Sequence, residues 1–272
     1  MSFRDIVLMV DSSSEAGARY AVSIASRFKA HLTAAALIVD PTTSMGFLEA
    51  SAAFVASSLD KLRIAAQQSL RDIEARAQQS GVSIQTELVE AGIGAIVETL
   101  GPRLRSFDLV LAEQPHPDLP GDRDVIIETA LFGSGRPLLV VPYVWKEPFQ
   151  IETIMVAWDG GAPAARALGD AMPMLARARQ VEVVVVADGP EGSTIPGSDA
   201  QRHLKRHGIE AGLRKLTGTR DVADTLLSQA SDTGADLLVM GGYGHSRFRE
   251  FILGGATEGV LASMTLPVLM AH

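Results

Sequence analysis

The 272-residue sequence predicts an α/β protein of two domains, each a parallel sheet covered by helices on both faces. Three observations lead there. The chain repeats itself: Arg4-Asp5-Ile6-Val7-Leu8-Met9-Val10-Asp11 is echoed at an offset of 148 by Glu152-Thr153-Ile154-Met155-Val156-Ala157-Trp158-Asp159, and LTAAALIVD (Leu32 to Asp40) overlies QVEVVVVAD (Gln180 to Asp188) at the same offset. Short runs of Val, Ile and Leu alternate with segments of helical period, such as Leu59, Leu62, Ala66, Leu70, Ile73 and Ala77, and strand–helix alternation builds a parallel sheet. The apolar runs are continuous rather than alternating, as in strands buried from both sides. Two domains of roughly 130 residues also suit the chain length.

In order along the chain, strands are expected near 4–10, 32–39, 83–89, 107–112 and 137–142, and then near 152–158, 181–187, 209–215, 235–240 and 267–271. Phe107-Asp108-Leu109-Val110-Leu111 matches Ala235-Asp236-Leu237-Leu238-Val239, and Arg136-Pro137-Leu138-Leu139-Val140-Val141 matches Leu266-Pro267-Val268-Leu269-Met270. The offset there has fallen to about 130, because the long helical run of the first copy (Glu49 to Gln79) faces only Ser198 to His207 in the second. Tyr143 to Gln150, bracketed by Pro142 and containing Pro148, reads as a linker, which sets domains at 1–146 and 151–272.

Composition narrows the chemistry. With no cysteine there is no disulfide framework, thiolate nucleophile or cysteine-ligated metal. A net charge of −8 and a pI near 5.3 oppose a diffuse surface for nucleic acid or an anionic membrane. No positively charged segment followed by a long apolar run opens the sequence, and no apolar stretch approaches about 18 residues, so a soluble cytoplasmic protein is expected.

Ligands of doubly wound sheets bind beyond the carboxyl ends of the strands. After the fourth strand of the second copy comes Gly241-Gly242-Tyr243-Gly244-His245-Ser246-Arg247-Phe248-Arg249-Glu250-Phe251-Ile252-Leu253-Gly254-Gly255-Ala256-Thr257-Glu258. Gly241 and Gly244 are suited to positive φ and to backbone N–H groups meeting an anion without a Cβ between. Gly254, Gly255 and Thr257 open the last helix, whose free N–H groups favour phosphate. A turn and an ordinary helix cap explain the same residues equally well on spacing alone.

The segment resembles the G-2x-G-9x-G-(S/T) signature of the universal stress protein family, here Gly241-x-x-Gly244, nine residues, then Gly254-Gly255. Met155-Val156-Ala157-Trp158-Asp159, Val186-Ala187-Asp188 and the closing Leu266-Pro267-Val268-Leu269-Met270 also fit it. The resemblance spans the chain twice, as in the tandem type of that family. It implies five-stranded parallel sheets of order 3-2-1-4-5, the two domains packed as a pseudo-dimer, and ATP, with or without magnesium, held by the glycine-rich loop. By position, Ala157, Asp159 and Val186 would border adenine and ribose, and Gly241, Gly244, Gly254, Gly255 and Thr257 the phosphates. His245 and Ala256 complete the set. One residue departs: Gly255 replaces the family's Ser or Thr, losing a hydroxyl while keeping the N–H, a change of about 1.5–3 kcal/mol or roughly ten-fold in affinity.

The first copy has Glu113-Gln114-Pro115-His116-Pro117-Asp118-Leu119-Pro120 at the corresponding place. Prolines remove donors and carboxylates repel phosphate, so this copy is expected not to bind nucleotide. Gly133-Ser134-Gly135 reads as a helix-ending turn. His203 and His207 lie i, i+4 without a third metal ligand nearby. Ser12-Ser13-Ser14 sits in no nucleophile elbow. Asp159 serves ribose contact and helix capping equally well, and His245 phosphate contact or backbone participation. With no P-loop lysine and no catalytic base paired with a metal-binding carboxylate cluster, no catalytic or metal residues are assigned, and hydrolysis is expected to be slow at most.

Three functions compete: a nucleotide-responsive stress protein acting through conformation or an unidentified protein partner, a nucleotide-free structural adaptor, and an enzyme of the wider adenine-nucleotide-binding α/β group. Homodimers of the two-domain chain are expected as well. If the domains pack through their terminal strands, Pro137 to Pro142 and Pro267 to Ala271, separation bares a sheet edge. Residues 1–146 and 151–272 expressed apart should then be poorly soluble or self-associate, and stable monomers by sedimentation would refute the pseudo-dimer.

Overall fold

Every apolar run that the sequence marks as a strand carries strand pairing. The computed structural model describes residues 2–10, 15–40, 52–116, 123–187, 197–217, 221–243 and 255–272. The chain divides into two units, residues 2–149 and 150–272.

In the first unit β1 (Asp5–Val10), α1 (Glu15–Phe28), β2 (His31–Asp40), α2 (Ala52–Gln79), β3 (Ile84–Gly92), α3 (Ile96–Leu104), β4 (Leu109–Glu113), α4 (Arg123–Glu128) and β5 (Leu138–Val141) form a doubly wound unit with strand order β3-β2-β1-β4-β5. The second unit repeats it with β6 (Thr153–Ala157), α5 (Ala162–Asp170), α6 (Met172–Leu175), β7 (Gln180–Ala187), α7 (Ser198–Arg206), β8 (Ala211–Thr217), α8 (Val222–Thr233), β9 (Leu237–Gly241), α9 (Gly255–Ser263) and β10 (Val268–Ala271), in the order β8-β7-β6-β9-β10. All these pairings are parallel. The expected order 3-2-1-4-5 therefore holds in both units. The long first-copy helix has 28 residues and its counterpart nine.

β4 and β5 are buried at every residue and β1 at all but one, whereas the edge strand β3 buries only Val89 and Ala91. On α1, Gly17, Tyr20, Ala21, Ile24, Ala25 and Phe28 are buried, the period of a helix laid on a sheet. α1, α2, α7 and α8 close with the same backbone bond, donated from a residue just past the helix to the carbonyl five before it: Ala30 to Ala25, Val82 to Ala77, Ile209 to Leu204 and Ala235 to Ala230, each 2.9–3.0 Å. A left-handed residue precedes each donor, at Lys29, Gly81, Gly208 and Gly234. This termination satisfies orphan carbonyls and turns the chain into the following strand.

Asp108 and Asp236 were expected inside strands but stand just before them. Their carboxylates clamp the start of the neighbouring strand. Asp108 Oδ2 accepts from the Arg4 and Asp5 N–H groups at 2.7 and 3.1 Å. Asp236 Oδ2 accepts from Glu152 and Thr153 at 2.9 and 2.8 Å. The flanking backbone bonds recur too, with His31 donating to Arg4 O and Gln180 to Glu152 O, both at 2.8 Å. Burial pushes the Asp5 carboxyl above its ordinary range, His31 opposing this and Asp108 adding to it.

The expected linker is anchored at its end to the first unit: Phe149 donates its N–H to Ser23 Oγ at 3.0 Å and sets its ring edge-on to Tyr20 at 5.5 Å. Ser134 bonds the Ala130 carbonyl and Gly135 has φ 66°, the helix-ending turn read from Gly133-Ser134-Gly135. No helix among the described residues is long and apolar enough to cross a membrane.

Because both N–H groups lose a charged acceptor together, Asp108→Ala and Asp236→Ala should each lower unfolding free energy by about 1–3 kcal/mol, and Asp→Asn, which keeps an acceptor oxygen, by less. Urea denaturation of the full chain reads both.

Candidate functional site

In the second unit β6 lies between β7 and β9, so the crossovers leave it in opposite directions, and a cleft opens beyond its carboxyl end. The cleft holds a cavity of about 230 Å³. β6 and its extension bring Ala157, Trp158 and Asp159; β7 brings Val184 and Val186; β9 brings Met240 and Gly241, followed by Tyr243; α8 brings Val222 and Leu226, one helical turn apart; and α9 opens with Gly255, Ala256 and Thr257. Of the residues read from the sequence, Ala157, Asp159, Val186, Gly241, Gly255, Ala256 and Thr257 meet in this one space. Gly244, His245 and Gly254 lie outside the described residues, as do Ser12-Ser13-Ser14 and Pro117 to Pro120.

Gly241 is needed for a different reason from the one expected. It is not among the positive-φ residues; the left-handed residue at the start of this loop is Tyr243, at φ 57°. What requires glycine is closeness: a Cβ at 241 would stand 2.6 Å from the Ala164 nitrogen and 2.9 Å from the Pro163 carbonyl carbon. The last residue of β9 thus lies against the first turn of α5. Gly242 donates to Ala271 O at 2.9 Å, and Tyr243 donates to Thr257 Oγ1 at 3.1 Å. The second bond ties the loop's entry to the first turn of α9, and it holds a conformation that costs a non-glycine residue about 1–2 kcal/mol.

Thr257 is buried, and with its oxygen accepting from Tyr243, the hydroxyl proton is the group it can offer a ligand. Gly255 is exposed, and a Cβ added there meets nothing within 4 Å. Asp159 Oδ1 accepts from the Gly161 N–H at 2.8 Å, closing the turn into α5, while the carboxylate also lines the cavity. Val184, Val186, Val222, Leu226 and Met240 supply an apolar wall; Asp159, Thr257 and the α9 N-terminus supply polar groups. His203 and His207 are exposed with rings 4.7 Å apart, and no group of three or more metal-binding side chains occurs among the described residues.

The sequence reading passed over Trp158, Val184, Val222, Leu226, Met240 and Tyr243. Val222 and Leu226 share a helix face and Met240 and Tyr243 flank the first two glycines, but neither spacing distinguishes a residue that lines a cavity from one that packs in the core.

At the equivalent place in the first unit stands Glu113, last residue of β4 as Gly241 is of β9. Gln114 donates to Val141 O at 2.8 Å, as Gly242 does to Ala271 O, which fixes the correspondence. Glu113 Oε2 accepts from the Gly17 N–H in the first turn of α1 at 2.8 Å. Its other oxygen pairs with Arg123 Nη2 at 3.1 Å, and Arg123 Nη1 donates to Gln114 O at 2.7 Å. The side chains are 3% and 8% exposed. A carboxylate of the protein itself therefore takes up a helix N-terminus here, held by an arginine from the first residue of α4.

A model of the universal stress protein family matches residues 150–272. A universal stress protein of Synechocystis is 30% identical over 175 residues, which cover 56% of this chain and 59% of that protein; the chain thus matches about three fifths of its relative's length. Among solved structures, a universal stress protein of Archaeoglobus fulgidus superposes at TM-score 0.71 with 15% identity, over 98% of this chain and 97% of that one. A putative universal stress protein of Pseudomonas aeruginosa gives 0.62 at 17% identity, over 98% and 92%. At such identities the likeness is one of fold.

Removing one partner of a buried ion pair strands the other. Arg123→Met should destabilise the chain by about 3–5 kcal/mol, whereas Glu113→Gln with Arg123→Met should recover most of the loss. Chemical denaturation of the two variants checks this; equal losses would mean that the pair contributes only packing.

Proposed function

We propose, since a model of the universal stress protein family matches residues 150–272, that the second unit is an adenine-nucleotide receptor with ATP as its ligand, magnesium accompanying the phosphates, and that occupancy biases conformation or partner binding in a stress response. The observation that carries the reading is the convergence of seven sequence-marked residues on one cavity at the strand-order reversal. At about 230 Å³ it is smaller than the roughly 300–1,000 Å³ of sites enclosing a drug-sized ligand, and suits a nucleoside. The apolar wall takes the base, Asp159 a ribose hydroxyl, and the phosphates extend toward the start of α9, where the Thr257 hydroxyl and the helix N–H groups favour negative charge; Gly244 and Gly254 are assigned to the phosphates on the sequence signature alone. The first unit does not take nucleotide in this reading, since the Glu113 carboxylate occupies the corresponding ground. Binding rather than turnover is the activity.

Gly255→Ser should tighten ATP roughly ten-fold, because the added side chain meets no neighbour and supplies a hydroxyl at the helix N-terminus. Gly244→Val and Gly254→Val should abolish binding without lowering the melting temperature appreciably, valine placing a branched Cβ where backbone would meet phosphate. Titration calorimetry with ATP and magnesium decides it, alongside thermal melts. Unchanged affinity in both folded valine variants would make the loop structural and leave the adaptor reading in its place.

A further inference from the structure

A groove of about 460 Å³ opens on the first unit, bounded by α1, the end of α2 and Pro148-Phe149. Arg19, Ser23, Ser26 and Arg27 come from α1, at the i, i+4, i+7, i+8 spacing that puts them on one face. Arg76 comes from the last turn of α2 and Ser80, four residues on, from just past its end. The lining contains three arginines and no carboxylate, in a chain whose net charge is −8. None of the three makes an ion pair among the described residues, although Arg63, Arg103, Arg123, Arg166, Arg202 and Arg214 all do. Ser23 Oγ accepts from the Phe149 N–H, which leaves its proton to give.

We propose that this groove binds a small polyphosphorylated anion. Three arginines lining one groove offer guanidinium forks that match the several oxygens of linked phosphoryl groups better than they match a single carboxylate. The concavity and the acidic balance of the whole chain favour a compact ligand over an extended polyanion. The proposal is independent of the second-unit cavity and shares no residue with it.

Arg27 and Arg76 lie in the last turns of their helices, where a cation also steadies the helix end. Binding must therefore be separated from stability. The probe is inorganic tripolyphosphate, titrated calorimetrically into the full chain at fixed ionic strength, in the wild-type and Gly244→Val backgrounds so that phosphate taken by the second-unit loop is distinguished. Arg27→Gln with Arg76→Gln should weaken the first-unit binding roughly ten-fold or more in both backgrounds. Arg19→Gln, a single change in mid-helix away from either helix end, should weaken it severalfold with the melting temperature kept, and serves if the double variant folds poorly. Arg71→Gln, on α2 but outside the groove, should leave it unchanged. Three results would overturn the proposal: no heat with the wild-type chain, affinity unmoved by the groove substitutions, or an equal loss from Arg71→Gln, which would reduce the effect to diffuse charge.

Discussion

In both units the fourth strand ends against the first turn of the helix that follows the first strand, and what stands at that strand's last residue sets how the two meet. At Gly241 the approach is so close that even a methyl group would sit 2.6 Å from a backbone nitrogen. Helix α5 therefore lies directly against the strand end, with the cavity beyond it. At Glu113 the same meeting is mediated by a side chain, whose carboxylate reaches the N–H of Gly17 and draws Arg123 inward. The same strand order, the same clamp from Asp108 or Asp236 and the same helix terminations surround both solutions. The two units thus differ, at this meeting of strand and helix, by one backbone position and the arginine that answers it.

Much of the fold was legible because the forces that make it are local or repetitive. Continuous apolar runs report burial on two faces, and a fixed offset between copies reports the repeat. The Asp before the fourth strand was visible in both copies yet was read as part of the strand, because the acceptor role of its carboxylate depends on the neighbouring first strand, distant in sequence. Gly241 illustrates a second limit. A glycine in a loop signals either left-handed backbone or close approach, and only the packing of α5 distinguishes them; the left-handed conformation fell instead to Tyr243, which spacing does not mark.

The candidate site was legible where it is built from strand ends and the glycine-rich segment, and illegible where it is built from α8. Val222 and Leu226 carry an ordinary amphipathic signal, and nothing in their spacing separates a helix residue facing the sheet from one facing a cavity. The first unit shows the converse. Prolines and carboxylates in its loop marked a departure from a phosphate site, but the pairing of Glu113 with Arg123, ten residues on, required the fold that brings the start of α4 beside the end of β4.

The buried Glu113–Arg123 pair also bears on how the two copies can diverge. Either residue lost alone leaves an uncompensated charge in the interior, so a lineage that reopens this cleft must pass through a weakened intermediate or change both positions at once. The pair thus works as a ratchet on the first copy's strand end, whereas the second copy's, a glycine, holds no charge that a substitution could strand.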